Sequence, residues 1–198
     1  MIKVTNFGII SNLMRRYGDD YLINWAEIKT NDIANGEGVR TSLFVSGCRH
    51  HCKNCFNSMT WDFGYGNLFT EETMEEIFDS VDHDWINGIT LLGGEPFEPE
   101  NQKVLVPFLV MFREKFPNKN VWCYTGFTFE EILGTTEPKS RAATDISKEM
   151  LSLIDVLVDG PFIEDLHSIT LKFRGSSNQR IIDIKKTAEQ KKIVLYLE

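Results

Sequence analysis

Cys48, Cys52 and Cys55 stand in a C-x3-C-x2-C pattern directly after an apolar run, so three of the four cysteines of the chain fall within eight residues. Thiolates spaced this closely can converge on one small inorganic centre. Three ligands are one short of a closed site, because structural zinc takes four protein ligands and a four-iron, four-sulfur cubane usually takes four cysteines. The loop therefore suits a cubane with one iron left open to an exogenous ligand. Two other readings stand beside it. His50 or His51 completes a zinc set of three thiolates and one imidazole, or Cys52 and Cys55 act as a redox dithiol, which leaves Cys48 without a role. Both histidines lie inside the tight loop, better placed to wall a site than to reach the metal their neighbours bind. Cys123, alone in an apolar stretch, reads as buried core.

A second cluster of chemistry-bearing residues is Gly93-Gly94-Glu95-Pro96. Glycines there let backbone groups approach a ligand with no Cβ in the way, and Glu95 can accept a hydrogen bond from an ammonium group or order the turn. Thr125 and Asp159, each after a predicted strand, are candidates for ribose or carboxylate contacts, although turn chemistry places such residues at strand ends as well. Asn54 and Phe56 flank the third cysteine, and the Phe56 ring offers stacking area to a flat ligand or packs into the core. Arg40 is expected to pair with an acidic neighbour at the rim. Arg49 and Lys53 orient an acidic electron donor through charge or are solvated loop residues, and Arg174 and Arg180 serve docking or a surface loop.

These residues need elements to hold them. An edge strand is expected over 21–28, a turn over 31–38 carrying Asn35-Gly36, and a buried strand over 41–46 ending at Gly47. Thr70 is the predicted N-cap of a helix whose Met74, Ile77, Phe78 and Val81 recur with helical period. Strands follow at 88–92, 120–124 and 155–158. Helical stretches lie over 104–116, where Pro107 starts or kinks the helix, from Thr128 with Glu131 as a capping box, and over 146–154. Strand and helix alternate, which calls for parallel strands joined by crossovers and an α/β fold. Ligands of such sheets gather at the carboxyl ends of the strands, where the cysteine loop, the Gly-Gly-Glu-Pro turn, Thr125-Gly126 and Asp159-Gly160 would all meet.

The 198 residues, 42% hydrophobic and 25% charged, suit one globular domain. They are few for a complete eight-fold barrel of about 250 residues, so a partial barrel or an open sheet is expected. The 21 basic against 29 acidic residues give a net charge of −8, which argues against nucleic acid as a partner. Lys185, Lys186, Lys191 and Lys192 read as a solvated face. No run reaches the 18 or so apolar residues of a membrane span, and residues 1–20, with Lys3, Arg15, Arg16, Asp19 and Asp20, lack the apolar centre of a signal peptide. A cytoplasmic protein is expected, in a reducing compartment where close cysteines bind metal rather than form disulfides.

The cysteine spacing and the Gly-Gly-Glu-Pro turn, in this order, resemble the radical S-adenosylmethionine superfamily, with the aromatic residue, Phe56, after the third cysteine and Asn54 before it. Asn35-Gly36-Glu37-Gly38-Val39-Arg40, Leu43-Phe44-Val45-Ser46-Gly47-Cys48, Cys55-Phe56-Asn57, Tyr124-Thr125-Gly126, Asp159-Gly160-Pro161-Phe162 and Arg174-Gly175-Ser176-Ser177-Asn178-Gln179-Arg180 narrow the likeness. They are similar to the glycyl-radical activases that serve anaerobic ribonucleoside-triphosphate reductases. The likeness covers about residues 21–184, leaving an N-terminal extension and a C-terminal appendage.

This resemblance implies a single radical S-adenosylmethionine domain with a partial (β/α) barrel. It implies iron ligation by Cys48, Cys52 and Cys55, and a cofactor held near Asn54, Cys55, Phe56, Gly93, Gly94, Glu95, Thr125 and Asp159. It further implies reductive cleavage of S-adenosylmethionine to a 5′-deoxyadenosyl radical. That radical removes hydrogen from a glycine of the large subunit of an anaerobic ribonucleotide reductase, with electrons from a flavodoxin-like donor. Two rivals differ in residues. A 7-carboxy-7-deazaguanine synthase usually has Cys-Asp-Thr where Cys55-Phe56-Asn57 stands, and a zinc-binding interaction module is usually much smaller than this α/β body.

Overall fold

The computed structural model describes residues 22–197. Residues 1–20 and Tyr21, the first residue of the expected edge strand, lie outside the described residues. Among the described residues eight strands form one sheet: β1 (Asn24–Asp32), β2 (Val39–Val45), β3 (Asn67–Leu68), β4 (Ile86–Gly93), β5 (Asn120–Tyr124), β6 (Val156–Asp159), β7 (Arg180–Asp183) and β8 (Leu195–Leu197). Their order is β3-β1-β2-β4-β5-β6-β7-β8. The centre, β2-β4-β5-β6, is parallel, while β1 joins β2, and β7 joins β6, antiparallel.

Helices α1 (Glu71–Val81), α2 (Pro99–Lys115), α3 (Phe129–Leu133) and α4 (Ser147–Ser152) lie in the connections between the parallel strands, and α5 (Ile184–Gln190) follows β7. This is the βαβ alternation that the sequence pattern calls for. Thr70 caps α1 and Thr128 caps α3, each in a capping box. Helix α2 starts at Pro99, where a fixed φ and a missing N–H cost little, and runs through Pro107. The expected start at 104 is therefore corrected by a turn and more. Pro107 forfeits one intrahelical bond, and burial of Val104, Leu105, Val106, Phe108 and Leu109 holds that segment helical. The expected edge strand becomes β1, one place in from the edge because β3 pairs outside it.

Alternation along the strands divides two apolar clusters. Val121, Cys123, Leu157 and Ile182 join the large core with Met74, Ile77, Phe78, Phe108 and Phe112 of the helices. Trp122, Val156, Val158 and Ile181 form a second cluster with Tyr124, Phe173 and Tyr196. Cys123 is fully buried, as expected. Among the described residues no helix is long and apolar enough to cross a membrane.

Candidate functional site

The cysteine loop leaves β2 through Gly47, whose φ of +94° is open to glycine and whose Cβ would stand 2.3 Å from the Phe63 ring. Backbone bonds then staple the loop to its surroundings. Gly47 N–H donates to Thr60 O at 2.8 Å, Cys48 N–H to Trp61 O at 3.2 Å, and Glu95 N–H to Gly47 O at 2.9 Å. His51 and Asn54 both adopt left-handed backbone, φ +51° and +56°. Asparagine is among the residues enriched in that region, which suits Asn54 to its place ahead of the third cysteine.

Cys48 is buried, Cys52 and Cys55 are half-buried, and all three thiols are free. Burial pushes the Cys48 thiol up to about 12, against a hydrogen bond from the His50 backbone N–H. Burial and the nearby Cys55 raise Cys52, against a bond from the Phe162 N–H. Burial thus disfavours the thiolate at Cys48 and Cys52, a preference that a bound cation reverses. Among the described residues no three His, Cys, Asp or Glu side chains are gathered tightly enough to ligate one metal ion.

All three cysteines line one cavity of about 650 Å³, within the range of small-molecule sites. Asn54, Phe56, Gly93, Gly94, Glu95 and Thr125 line it too. The carboxyl ends of β2, β4 and β5 thus open on the same space. Asp159 is absent from the lining. Its carboxylate accepts from Phe129 N–H at 2.7 Å and from Arg180, which also bonds Glu130. It therefore joins α3 to β7 rather than facing the cavity. Phe56 is 88% exposed, so it stands at the mouth and not in the core.

The glycines of the turn answer to the sheet. A Cβ on Gly93 would lie 2.7 Å from Phe44 Cα, and one on Gly94 2.7 Å from Gly47 O. Glu95, 1% exposed, orders the turn: Oε1 accepts from Phe97 N–H (2.8 Å) and Thr125 Oγ1 (2.7 Å), and Oε2 from Gly126 N–H (2.7 Å) and His50 Nε2 (3.0 Å). Four donors on two oxygens fill the carboxylate.

Several residues that hold the site carry no motif. Glu98, fully buried, accepts from the Arg49 backbone at 2.9 Å and its guanidinium at 2.7 Å, and from Arg141 at 3.0 Å. Arg49 also pairs with Glu100 at 2.7 Å; that bond raises the Arg49 pKa and lowers that of Glu100. Asn101, fully buried, donates to Ser46 O at 3.0 Å and Glu95 O at 2.8 Å. The polar run 98–102 reads as an exposed helix start, and only its adjacency to the Gly-Gly-Glu-Pro turn signals otherwise. Lys53 lies 3.1 Å from Glu164, to which Asn54 also donates. Arg49 and Lys53 are thus occupied within the chain. Arg174 donates to Gln179 O at 3.0 Å. Arg40 finds no acid: its bonds go to Thr90 Oγ1 at 2.7 Å and to the carbonyls of Glu37, Ile89 and Asn120.

Neither histidine turns to the thiols. His51 stacks on Trp61 with ring centroids 4.5 Å apart, and His50 gives Nε2 to Glu95.

The model of the 4Fe-4S single cluster domain family matches residues 34–182, which include the cysteine loop and the strands β2, β4 and β5 whose ends open on the cavity. Anaerobic ribonucleoside-triphosphate reductase-activating proteins are similar over most of their length. That of Pasteurella multocida is 38% identical over 161 residues, 80% of this chain and 96% of the relative. That of Haemophilus influenzae is 38% identical over 161 residues, 80% and 97%. That of phage T4 is 36% identical over 159 residues, 80% and 93%. The chain belongs to this family of reductase-activating proteins. Within an activating protein of this kind, the cavity that joins the three thiols to the Gly-Gly-Glu turn is the place where family membership and geometry coincide.

Proposed function

We propose that the chain activates an anaerobic ribonucleoside-triphosphate reductase by generating a glycyl radical on its large subunit, using a four-iron, four-sulfur cluster and S-adenosylmethionine. One observation carries the reading: the three thiols and the Gly93-Gly94-Glu95 turn, far apart in sequence, line the same cavity at the ends of parallel strands. The donor set fits the cluster. In a cubane each thiolate takes a different iron, so the thiols need no common point, and three of them leave one iron open. Single-ion zinc ligation is disfavoured by the commitment of His50 to Glu95 and of His51 to Trp61.

Cys48, Cys52 and Cys55 would hold the irons, and the cavity beside Gly93, Gly94 and Thr125 would take the S-adenosylmethionine, with Asn54 and Phe56 at its mouth. When bound, cluster and cofactor supply one-electron cleavage of a carbon–sulfur bond and hydrogen abstraction from a glycine Cα of the reductase. The protein holds the loop by way of Glu95, Glu98 and Asn101, and lines the cavity with Leu92, Tyr124 and Phe162. The parallel strands and their helices would form a partial barrel, in one radical S-adenosylmethionine domain over about residues 21–184. A flavodoxin-like protein would donate the electron.

The test is anaerobic incubation of the reconstituted protein with the reductase, S-adenosylmethionine and a low-potential reductant. A glycyl-radical signal on the reductase, absent when S-adenosylmethionine is omitted, is expected. Its absence beside a formed cluster would redirect the reading to another substrate of the same chemistry.

A further inference from the structure

His50 reaches from the cysteine loop to both of the following strand ends. Its Nε2–H donates to Glu95 Oε2 at 3.0 Å beyond β4. Its ring meets Phe127 edge-on, centroids 4.3 Å apart, beyond β5. It also fills the space over Gly126 so closely that a Cβ there would stand 2.7 Å from its Cδ2 and Nε2. The acceptor of this bond cannot wander. Glu95 is buried and fixed by Phe97 N–H, Thr125 Oγ1 and Gly126 N–H, so the imidazole is docked on a rigid anion.

We propose that His50 is a positioning residue for the cluster: its ring, anchored on Glu95 and seated over Gly126 and Phe127, fixes the loop that carries Cys48 and Cys52. Contacts that orient metal ligands tune both the affinity for the metal and its electronic state, so a loosened loop shows in cluster uptake and in the spectrum. The inference rests on the cluster reading above. It assigns Glu95 the task of an acceptor for His50, Thr125 and Gly126, and it gives the imidazole a role other than metal ligation or proton transfer.

Two variants separate anchoring from mere bulk. His50→Ala removes the donor, whereas His50→Gln keeps an amide N–H at a similar reach. Both would be reconstituted anaerobically beside the wild type and read by iron and sulfide content and by the resonance spectrum of the reduced cluster.

His50→Ala is expected to lower iron content several-fold and to broaden the spectrum of the cluster that does form. His50→Gln is expected to restore most of the wild-type values. Wild-type iron content and spectrum in His50→Ala would overturn the proposal. Equal losses in both variants would overturn it too, because anchoring requires only a donor to Glu95. A wild-type protein that takes up no iron and sulfide would instead overturn the cluster reading itself, and with it this inference.

Discussion

Arg40 lies over the face of Trp122, its guanidinium carbon 5.5 Å from the ring centroid, and both side chains are fully buried in the sheet face opposite the main core. Burial lowers the Arg40 pKa to about 10, and the charge is met by carbonyl oxygens and the aromatic face instead of a carboxylate. Gly36, with φ +122°, closes over the pair, since a Cβ there would stand 2.9 Å from the Trp122 ring. The Asn35-Gly36-Glu37-Gly38 segment is thereby pinned where Ala34 and Asn35 line the cavity.

Replacing the fork with a point charge tests this arrangement. Arg40→Lys reaches fewer of the four acceptors, leaving buried carbonyls unpaired, and is predicted to destabilise the protein by about 2–4 kcal/mol. Urea unfolding followed by circular dichroism measures it; a loss within experimental error would show the carbonyls satisfied by other means.

Glu98 is the buried anion between Arg49 and Arg141. Glu98→Gln keeps the shape and removes the charge, and because both arginines are part-exposed the cost is discounted to about 1–3 kcal/mol. Loosening of residue 49 beside Cys48 is expected as well, and amide hydrogen exchange at 47–52 reads it. Unchanged exchange there would place the loop's rigidity in other contacts.

Gly126→Ala places a methyl group within 2.7 Å of the His50 ring. Iron uptake on reconstitution is predicted to fall while the far-ultraviolet spectrum stays that of the wild type. Full iron uptake would mean that the ring is free to move aside.

Asp32 supplies a pH dependence. Burial pushes its carboxyl up, but hydrogen bonds from Ser42, Asn35 and Ala34 and the Lys29 charge outweigh that and leave it below the ordinary value of 3.8. Its stabilisation is therefore complete above that ordinary value and is lost as pH falls through the lower folded value. Asp32→Asn is predicted to flatten the fall in unfolding free energy below about pH 4, measured by urea titration at a series of pH values. An identical acid limb in the variant would exclude Asp32 as its source.

Much of this was legible in the residues. Strand β5 and the caps at Thr70 and Thr128 follow from period and capping chemistry, and the parallel centre follows from the alternation of elements. The antiparallel β7 and β8 were not, because a four-residue strand after a long irregular segment and a three-residue strand after it carry too short a period to read. In the site, cysteines and glycines announce themselves by spacing. His50, Glu98 and Asn101 do not, since their meaning lies in partners 45, 49 and 55 residues away. Asp159 and Arg40 show the same limit: each is charged at a strand end or rim, and only the fold decides which partner it takes.

Cys52→Ala removes one of the three thiols while leaving the core untouched. Iron and sulfide content after reconstitution are predicted to collapse with little change in thermal unfolding of the apo-protein. Wild-type iron content in the variant would count against Cys52 as a ligand.

The most direct measurement is the electron paramagnetic resonance spectrum of the anaerobically reconstituted and reduced protein, recorded with and without S-adenosylmethionine. A reduced-cubane signal whose shape changes when S-adenosylmethionine is added is predicted, because the proposed open iron would take up the cofactor. A colourless protein with stoichiometric zinc and no such signal, or a cubane signal indifferent to S-adenosylmethionine, would contradict it.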